Sequence, residues 1–360
     1  MSRVRDRLVD WIRRHGPIDV ARFMGLCAAL RGGYLERGAG PGAQGDFVTA
    51  PELSQIFGEL IGLSFVAHWK AMGSPRAVRI AELGPGRGTL MADLWRALGT
   101  SAEMRAAVQS VELVELSPAL RELQAERLAA LPLRFRSAVE ELPQDLPLFV
   151  IANEFFDALP IHQYLWIDGA WRERVVALGA EGKLAFALAP WPAPLPPPRD
   201  PSAALVRELS PAREALAAVL AERIVQSGGL ALVIDYGEPE LSGDTLQAVY
   251  RHRRVDPLER PGEADLSSLV DFGALARSAA AAGARVYGPL AQATLLERLG
   301  IRLRLARLVG EAGAERRQAL VRGVERLLDP QAMGERFQAL ALVPPGAPPP
   351  PGFAAEERWR

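Results

Sequence analysis

The chain has 360 residues, 49% of them hydrophobic, which is enough for a sizeable core in one large domain with insertions or in two domains. A formal net charge of −1 argues against a global field that would favour nucleic acid or a membrane surface. Cys27 is the only cysteine, which excludes a disulfide within the chain, and four scattered histidines argue against a metal site. Because the sequence has neither an apolar run of bilayer length nor a signal-peptide core, we expect a cytoplasmic protein.

The first 75 residues are predicted to be an N-terminal helical segment with one long loop. Apolar spacing predicts helices over residues 4–15, 20–30 and 52–72. Glycine-rich residues 32–45 separate the second helix from the third. The polar segment that follows, residues 46–55, carries Thr49 and Pro51 at a helix start, and it is either a lid over a ligand or a plain connector.

A glycine turn is the most informative stretch, and it reads Glu82-Leu83-Gly84-Pro85-Gly86-Arg87-Gly88-Thr89. The apolar run before it predicts a buried strand and the residues after it predict a helix, a layout that places a ligand at a helix N-terminus. Dinucleotide folds need G-x-G-x-x-G, whereas this pattern is E-x-G-x-G-x-G. Because an acidic residue at this place repels a pyrophosphate and pairs with an ammonium group, the turn favours S-adenosylmethionine. An ordinary strand-to-helix turn is the alternative.

From residue 76 the alternation of strands and helices predicts an α/β fold with a Rossmann-like parallel sheet. Its strands are expected at residues 78–83, 108–115, 133–135, 148–152, 230–234 and 284–287, with a last edge strand at 337–343. An antiparallel insertion is predicted at 162–167, 171–178 and 184–188, followed by a helix over 203–226. Residues 235–264 are predicted to be a loop, followed by a helix at 272–282 and two or three helices over 290–328.

These elements predict four units. They are a helical segment with a lid loop (1–75), a cofactor-binding Rossmann-like domain with C-terminal helices (76–160 and 228–343), an inserted substrate-side subdomain (161–227) and a disordered proline-rich tail (344–360).

The second and third strands end in candidate nucleoside contacts. Glu115 follows strand two, where its two oxygens can accept hydrogen bonds from a ribose diol. Glu112 is the other candidate, but Glu115 is nearer the carboxyl end, where ligands bind. After strand three, Val139 and Glu140 are placed to meet an adenine edge, although an exposed acidic turn is an equal alternative.

The fourth strand runs into Asn153-Glu154-Phe155-Phe156-Asp157. Polar residues directly after a buried strand are costly unless they face a cleft. Two neighbouring carboxylates, Glu154 and Asp157, suit a planar guanidinium with forked donors, and one of them can accept a proton as the nitrogen attacks a sulfonium methyl. A helix N-terminus with favourable acidic residues is the alternative.

A further set of residues is predicted on the substrate side of the cleft. Asp235 and Tyr236 end the fifth strand and can wall the substrate. His252 is the one histidine of the following loop with plausible base chemistry. The complete set of candidate substrate contacts is Phe155, Phe156, His162, Asp235, Tyr236 and His252.

Three long motifs together resemble the MidA-type methyltransferases. They are residues 45–59, the glycine turn and residues 153–160, and the similarity continues through Asp235-Tyr236-Gly237 and residues 261–272. The resemblance implies a class I S-adenosylmethionine fold and transfer of a methyl group to protein arginine. In the family's mitochondrial branch the product is symmetric dimethylarginine on a respiratory complex I subunit.

The resemblance also implies the site residues. Glu154 and Asp157 are the expected catalytic residues, and residues 46–55 are expected to close over the site. Glu82, Gly84, Gly86, Gly88 and Glu115 are the residues that the resemblance implies hold the cofactor. With the candidates taken from the sequence itself, the expected cofactor contacts are Thr49, Pro51, Glu82, Gly84, Pro85, Gly86, Gly88, Thr89, Glu115, Leu116, Val139, Glu140 and Asn153.

One position departs from the family pattern. The family commonly reads Asp-Leu-Thr-Ala-His-Val-Asp-Phe where this chain has Leu269 in place of the histidine. We therefore keep two functional hypotheses: a protein-arginine methyltransferase, and an assembly chaperone that retains the cofactor fold without turnover. The glycine turn and Glu115 favour the first, and the missing histidine favours the second. The target arginine, the number of methyl groups and the oligomeric state are left open.

Overall fold

The computed structural model describes residues 3–30, 32–37, 49–198, 200 and 205–359. Its centre is a sheet whose long strands we number β1 (Val78–Leu83), β2 (Val108–Val114), β3 (Leu133–Arg136), β4 (Leu148–Asn153), β5 (Gly229–Glu238), β6 (Arg285–Ala291) and β7 (Phe337–Val343). The strand order is β6-β7-β5-β4-β1-β2-β3, with the short strand Val270–Asp271 beside the end of β5. Residues 46–48 of the predicted lid lie outside the described residues.

The first five strands are parallel, and β7 is antiparallel to both β5 and β6. The chain leaves β1 towards β2 and β3 and then returns to β4 on the other side of β1. Ligands of open α/β sheets bind where the strand order reverses in this way. The switch point therefore lies at the carboxyl ends of β1 and β4.

Helices cover both faces of the sheet. The helices beside or between the strands are Gln55–Ala71, Thr89–Leu98, Ala102–Ala107, Pro118–Arg127, Pro211–Ser227 and Phe272–Ala281. Each face buries its own apolar cluster, centred on Phe57 and Phe149 on one side and on Phe156 and Phe272 on the other. All six residues of β4 are buried, as expected for a central parallel strand. The predicted α/β class and the Rossmann-like sheet are confirmed.

The inserted antiparallel sheet is larger than predicted. Its strands are His162–Ile167, Ala170–Leu178, Leu184–Pro192, Val206–Leu209 and the N-terminal Ile18–Asp19. The helices Arg3–His15 and Val20–Ala29 pack on it around Phe23 and Val176 in a third apolar cluster. The short helix Tyr34–Arg37 follows them. The predicted helix over 203–226 is wrong at its start, because 206–209 pair with 162–165 and Ser210 caps a helix that begins at Pro211.

Three further predictions need correction. The helix predicted over 52–72 is divided at Ser54, whose hydroxyl accepts the Ile56 N–H, into Ala50–Leu53 and Gln55–Ala71. Residues 235–264 are not only loop, since Gln247–Tyr250 pairs with Arg253–Val255 and with Asp265–Ser267. The strand Phe337–Val343 is not at an edge, because β6 forms a hairpin with it and lies outside it.

The C-terminal part is helical and closes onto the sheet. Its helices are Gln292–Arg298, Ile301–Glu311 and Ala314–Leu328, with a π-turn at Pro330–Gly334. The tail predicted to be disordered is instead ordered through residue 359: Phe353 is buried, Arg298 pairs with Glu357, and the Trp359 N–H donates to Val286. No helix in the described part of the chain has the length and apolarity needed to cross a bilayer.

Candidate active site

The glycine turn joins β1 to the helix Thr89–Leu98 at the switch point. Gly84, Gly86 and Gly88 have φ values of +61°, +51° and +76°, which side chains with a Cβ adopt only at a cost. A Cβ on Gly84 would lie 2.7 Å from Cδ2 of Phe155, which belongs to the loop after β4 (residues 154–161, here called the β4 loop). The turn therefore needs glycine both for its backbone shape and for the close approach of this ring.

Glu82 has the chemistry of a seat for a cationic group. It is 3% exposed, and its Oε2 has no hydrogen-bond partner. Burial raises the pKa of Glu82 to about 8, and the neighbouring carboxylate of Glu115 adds to the rise. A buried carboxylate oxygen without a partner is costly unless a ligand supplies one.

Glu115 lies directly after β2 and is fixed by its neighbours. It accepts hydrogen bonds from the Ser117 N–H (2.8 Å) and from Nε2 of Gln124 (3.2 Å), and that Nε2 also donates to the Gly86 carbonyl (2.7 Å). Burial raises the pKa of Glu115. Glu112, by contrast, is engaged by two arginines within the sheet. Glu115 is thus the carboxylate held against the glycine turn.

The described end of the predicted lid contacts both sides of the switch point. The Ala50 N–H donates to Oε1 of Glu154 (3.0 Å), and the Thr89 hydroxyl donates to Oε1 of Glu52 (2.6 Å). Together these elements form the glycine-turn cavity, which is lined by Thr49, Pro51, Glu52, Glu82, Gly84, Pro85, Gly86, Arg87, Thr89, Leu90, Asn153 and Glu154. The structure therefore brings together most of the predicted cofactor contacts.

The β4 loop carries the predicted catalytic residues. Asn153 donates to Oε1 of Glu154 (3.2 Å), and its own buried Oδ1 has no partner. Glu154 has a φ of +50°. This left-handed conformation costs a residue other than glycine about 1–3 kcal/mol, and such strain is typical of functional sites. Burial, together with the nearby Asp157, raises the pKa of Glu154 to about 8.

Asp235 at the end of β5 fixes this loop. Its Oδ2 accepts the backbone N–H groups of Phe155 (3.1 Å), Phe156 (2.9 Å) and Asp157 (3.2 Å), and the side chain is fully buried. Asp235 lines neither of the two cavities at this site, so it acts on the loop rather than on a ligand.

A second cavity of about 310 Å³ adjoins the first at Glu154. We call it the acidic cavity, and it is lined by Glu154, Asp157, Tyr236, Gln247, Val249, Asp265, Ser267, Arg326, Ala332, Met333, Arg336 and Phe337. Burial raises the pKa of Asp157 to about 6, against the lowering effect of the Arg213 charge. The Tyr236 hydroxyl donates to Ser267 (2.6 Å) and accepts from Gln247 (2.8 Å). Three carboxylates, Glu154, Asp157 and Asp265, therefore line a cavity that adjoins the glycine turn, and the first two are the predicted catalytic residues.

Three of the predicted substrate contacts lie elsewhere. Phe156 is fully buried in an apolar cluster beneath the sheet. His162 belongs to the inserted sheet, where its Nδ1 lies 2.7 Å from Glu173. His252, with a φ of +62°, forms the exposed turn between the strands Gln247–Tyr250 and Arg253–Val255. Phe155 packs against Gly84 instead and lines neither cavity.

The remaining predicted contacts are spread around the ends of β2 and β3. Leu116 is 58% exposed, Val139 is buried and Glu140 is exposed, and none of the three lines the glycine-turn cavity. Leu269 lies in the turn before the helix Phe272–Ala281, where its carbonyl accepts from Arg213.

The sequence did not indicate four residues that shape the site. Glu52 belongs to the segment expected to close over the site but was not among the predicted contacts, and Gln124 lies inside a predicted helix, where polar residues are ordinary. Gln247 lies in the segment predicted to be a loop, and the predicted helix over 203–226 has Arg213 in its middle rather than in the first turn. Only the tertiary structure brings these side chains to the cavities.

This strand order, with an antiparallel β7 between β5 and β6 and a glycine turn after β1, defines an S-adenosylmethionine-dependent methyltransferase fold. Residues 60–290 match the family model described as "Putative S-adenosyl-L-methionine-dependent methyltransferase". The chain belongs to this family, and the resemblance to the MidA-type methyltransferases is confirmed. The cofactor is S-adenosylmethionine, and the unpartnered oxygens of Glu82 and Asn153 fit its polar groups.

Similar proteins agree with this assignment. The chain is 38% identical to the mitochondrial protein arginine methyltransferase NDUFAF7 of Mus musculus, over 92% of this chain and 82% of that protein. The Drosophila melanogaster homologue is 37% identical over 91% of this chain and 82% of its own. A crystal structure from Burkholderia thailandensis, bound to S-adenosyl-homocysteine, superposes with a TM-score of 0.83 at 26% identity and covers 99% of this chain and 95% of its own.

Proposed function

We propose that the protein transfers a methyl group from S-adenosylmethionine to a guanidino nitrogen of arginine in a protein substrate. The observation that carries this proposal is the position of Glu154, which lines both the glycine-turn cavity and the acidic cavity. The relatives named protein arginine methyltransferases support it.

On the cofactor side, hydrogen-bond acceptors of the protein face the donor groups of S-adenosylmethionine. Glu82 pairs with the ammonium of the cofactor's amino-acid head, and Asn153 Oδ1 accepts a further hydrogen bond. Glu115 accepts from the ribose hydroxyls, because Ser117 and Gln124 hold its carboxylate in place. Leu116, Val139 and Glu140 flank the adenine. When bound, the cofactor supplies an electrophilic methyl group.

On the substrate side, Glu154 and Asp157 orient the guanidinium. A planar guanidinium presents forked N–H donors that match two carboxylates, and the ion pairs fix which nitrogen points towards Glu154. Tyr236, held by Ser267 and Gln247, forms the wall beside Asp157. Most of the rate enhancement then comes from proximity and electrostatic positioning.

The reaction releases one proton from the substrate nitrogen, and Glu154, which lines both cavities, is the carboxylate placed to accept it. Burial raises the pKa of Glu154 to about 8, so its carboxylate, once ionised, is a stronger base than that of an ordinary glutamate. Glu154 therefore accepts the proton, while Asp157, with a pKa of about 6, keeps its charge for binding.

The space next to the acidic cavity suits a polypeptide better than a small molecule. A further cavity of about 640 Å³ shares Tyr236, Gln247, Ala332, Arg336 and Phe337 with it. Together the two cavities form a groove that leads away from Asp157 past the carboxyl end of β5 and the start of β7. An extended peptide on both sides of a target arginine can lie in such a groove.

The resemblance to the MidA-type family extends the proposal to a subunit of respiratory complex I as the substrate and to symmetric dimethylarginine as the product. We place the reaction in the cytoplasm, whereas the named relatives are mitochondrial. Fractionation of the source cells tests the compartment, and mass spectrometry of the methylated subunit tests its identity and the symmetry of the dimethylarginine.

The proposal is tested by transfer of labelled methyl from S-adenosylmethionine to a cell lysate, followed by acid hydrolysis and identification of methylarginine. The control is Gly86→Val, which places a branched side chain where φ is +51°. Labelled methylarginine from the wild type alone supports the proposal. Cofactor binding without any labelled protein would instead support the assembly-chaperone hypothesis.

A further inference from the structure

A buried guanidinium lies beside the acidic cavity and is not one of its lining residues. Arg213, in the first turn of the helix Pro211–Ser227, is 3% exposed. Its Nη2 donates to the carbonyl oxygens of Asp157 (2.8 Å) and Leu159 (3.2 Å). The helix therefore holds the end of the β4 loop through this one side chain.

The same guanidinium holds a second segment of the site. Nη1 donates to the carbonyl of Leu269 (2.7 Å), and Nη2 donates to the hydroxyl of Ser268 (2.7 Å). The Ser268 N–H in turn donates to the Asp157 carbonyl (3.1 Å). Arg213 thus joins the β4 loop to the turn before the helix Phe272–Ala281.

The charge of Arg213 is buried without an ion-pair partner. Its hydrogen bonds go to carbonyl and hydroxyl oxygens, and within the described ranges no carboxylate forms a salt bridge with it. A buried cation is costly without compensation. The carboxylates of Asp157 and Asp235 provide the compensating field from a greater distance.

We propose that Arg213 is a positioning residue for methyl transfer: its hydrogen bonds fix residues 157–159, and its charge keeps the Asp157 carboxylate ready for a cationic substrate. This inference rests on the proposed role of Asp157 in binding arginine.

Other charged or titratable groups also face Asp157. They are Glu154 of the same loop, Asp235 and Tyr236 of β5, and Asp265, Arg326 and Arg336 across the acidic cavity. Arg326 and Arg336 are exposed, so water and salt screen their charges, whereas Arg213 is buried. The charge of Arg213 therefore acts on the Asp157 carboxylate more strongly than the charges of the two exposed arginines.

The test separates the charge of Arg213 from its hydrogen bonds. Arg213→Gln removes the charge, and Arg213→Lys keeps it but loses the forked geometry. Arg223→Gln is the matched control, because Arg223 is also buried (6% exposed) and donates to the carbonyls of Glu140 and Leu142, away from Asp157. The readouts are the pH profile of kcat/KM and a carbon-13 NMR titration of the Asp157 carboxyl, assigned with Asp157→Asn.

We expect Arg213→Gln to move the acid limb and the Asp157 titration up by about one pH unit, because a nearby positive charge lowers a carboxyl pKa by at least this much. Arg213→Lys should leave the acid limb of the kcat/KM profile in place and lower kcat. Arg223→Gln should shift neither the acid limb nor the Asp157 titration. An unshifted titration in Arg213→Gln would overturn the inference. If that variant does not fold, Arg213→Lys with wild-type kcat would overturn it.

The two proposals fail in different ways. If the wild type makes no methylarginine, the proposed function is wrong. The NMR titration needs no substrate and still decides whether Arg213 controls Asp157.

Discussion

Asp235 Oδ2 accepts the backbone N–H of Phe156 at 2.9 Å, and this contact ties the end of β5 to the loop after β4. The same oxygen accepts the N–H groups of Phe155 and Asp157. The loop that carries Glu154 and Asp157 is therefore held by a carboxylate that does not line the acidic cavity. This arrangement explains how a loop with a positive φ at Glu154 keeps one conformation.

Asp235→Asn should loosen this loop. The amide keeps one acceptor but replaces the other with an NH₂ group that faces the Tyr236 N–H, which the native Oδ1 accepts at 2.9 Å. We expect a loss of about 1–3 kcal/mol in the free energy of unfolding and a fall of roughly tenfold or more in kcat. Asp19→Asn is the control, because asparagine caps a helix as well as aspartate. Denaturant unfolding and initial rates check this, and an unchanged kcat would contradict the account.

Glu82→Gln should stabilise the cofactor-free protein at alkaline pH and weaken cofactor binding. The folded-state pKa of Glu82, about 8, lies above the ordinary value of 4.5. The folded state therefore holds a proton that the unfolded state releases, and stability is lost as pH rises from the ordinary value through about 8.

At pH ~8 we expect Glu82→Gln to gain about 2 kcal/mol or more over the wild type in thermal unfolding, and to gain little at pH ~4. Calorimetry should show that wild-type affinity for S-adenosylmethionine rises with pH as Glu82 ionises, and that the variant loses most of this rise. Equal stability of the two proteins at both pH values would mean that folding does not raise the pKa of Glu82.

Gly84→Ala tests the close approach of Phe155. The new Cβ would lie 2.7 Å from the ring, and the alanine would have to adopt a φ of +61°. Gly73→Ala is the control, because Gly73 has a φ of +83° and nothing within 4 Å of the added atom. In denaturant unfolding we expect the control to lose about 1 kcal/mol of the free energy of unfolding. For Gly84→Ala we expect a larger loss of unfolding free energy. Calorimetry should also show roughly a hundredfold weaker binding of S-adenosylmethionine. Equal effects of the two substitutions would show that steric contact with Phe155 is unimportant.

The acid limb of the pH profile of kcat/KM should report Glu154 and Asp157, the two carboxylates assigned to the substrate guanidinium. Their pKa values are about 6 for Asp157 and about 8 for Glu154. Because both must be ionised to hold a guanidinium and accept its proton, kcat/KM should rise with pH through this interval. Asp157→Asn should remove the lower step and keep the upper one. A flat profile between pH ~6 and ~8 would contradict the assigned roles, once a saturating cofactor concentration is confirmed.

The sequence predicted the part of the site that depends on local signals. The apolar runs of β1 and β4 and the glycines after β1 specify strands and a turn without reference to the rest of the chain. The polar residues that follow β4 then had to face a cleft, because burial without partners is costly. This reasoning gave Glu82, Asn153, Glu154 and Asp157.

The elements that the sequence did not predict depend on distant partners. Val206–Leu209 is a strand because it pairs with His162–Ile167, more than thirty residues earlier in the chain. The proline-rich tail has the composition of a disordered segment, yet Phe353 and Trp359 dock against the rest of the fold. His252 could be assigned to a turn only after the hairpin that contains it was known.

The most direct test of the central claim is the turnover of Glu154→Gln at saturating S-adenosylmethionine, with the methylated atom of the wild-type product located by mass spectrometry. The account predicts methyl on a guanidino nitrogen in the wild type. For Glu154→Gln it predicts cofactor affinity within roughly tenfold of the wild type and kcat lower by roughly a hundredfold or more. Normal turnover by Glu154→Gln, or methyl on any atom other than a guanidino nitrogen, would contradict it.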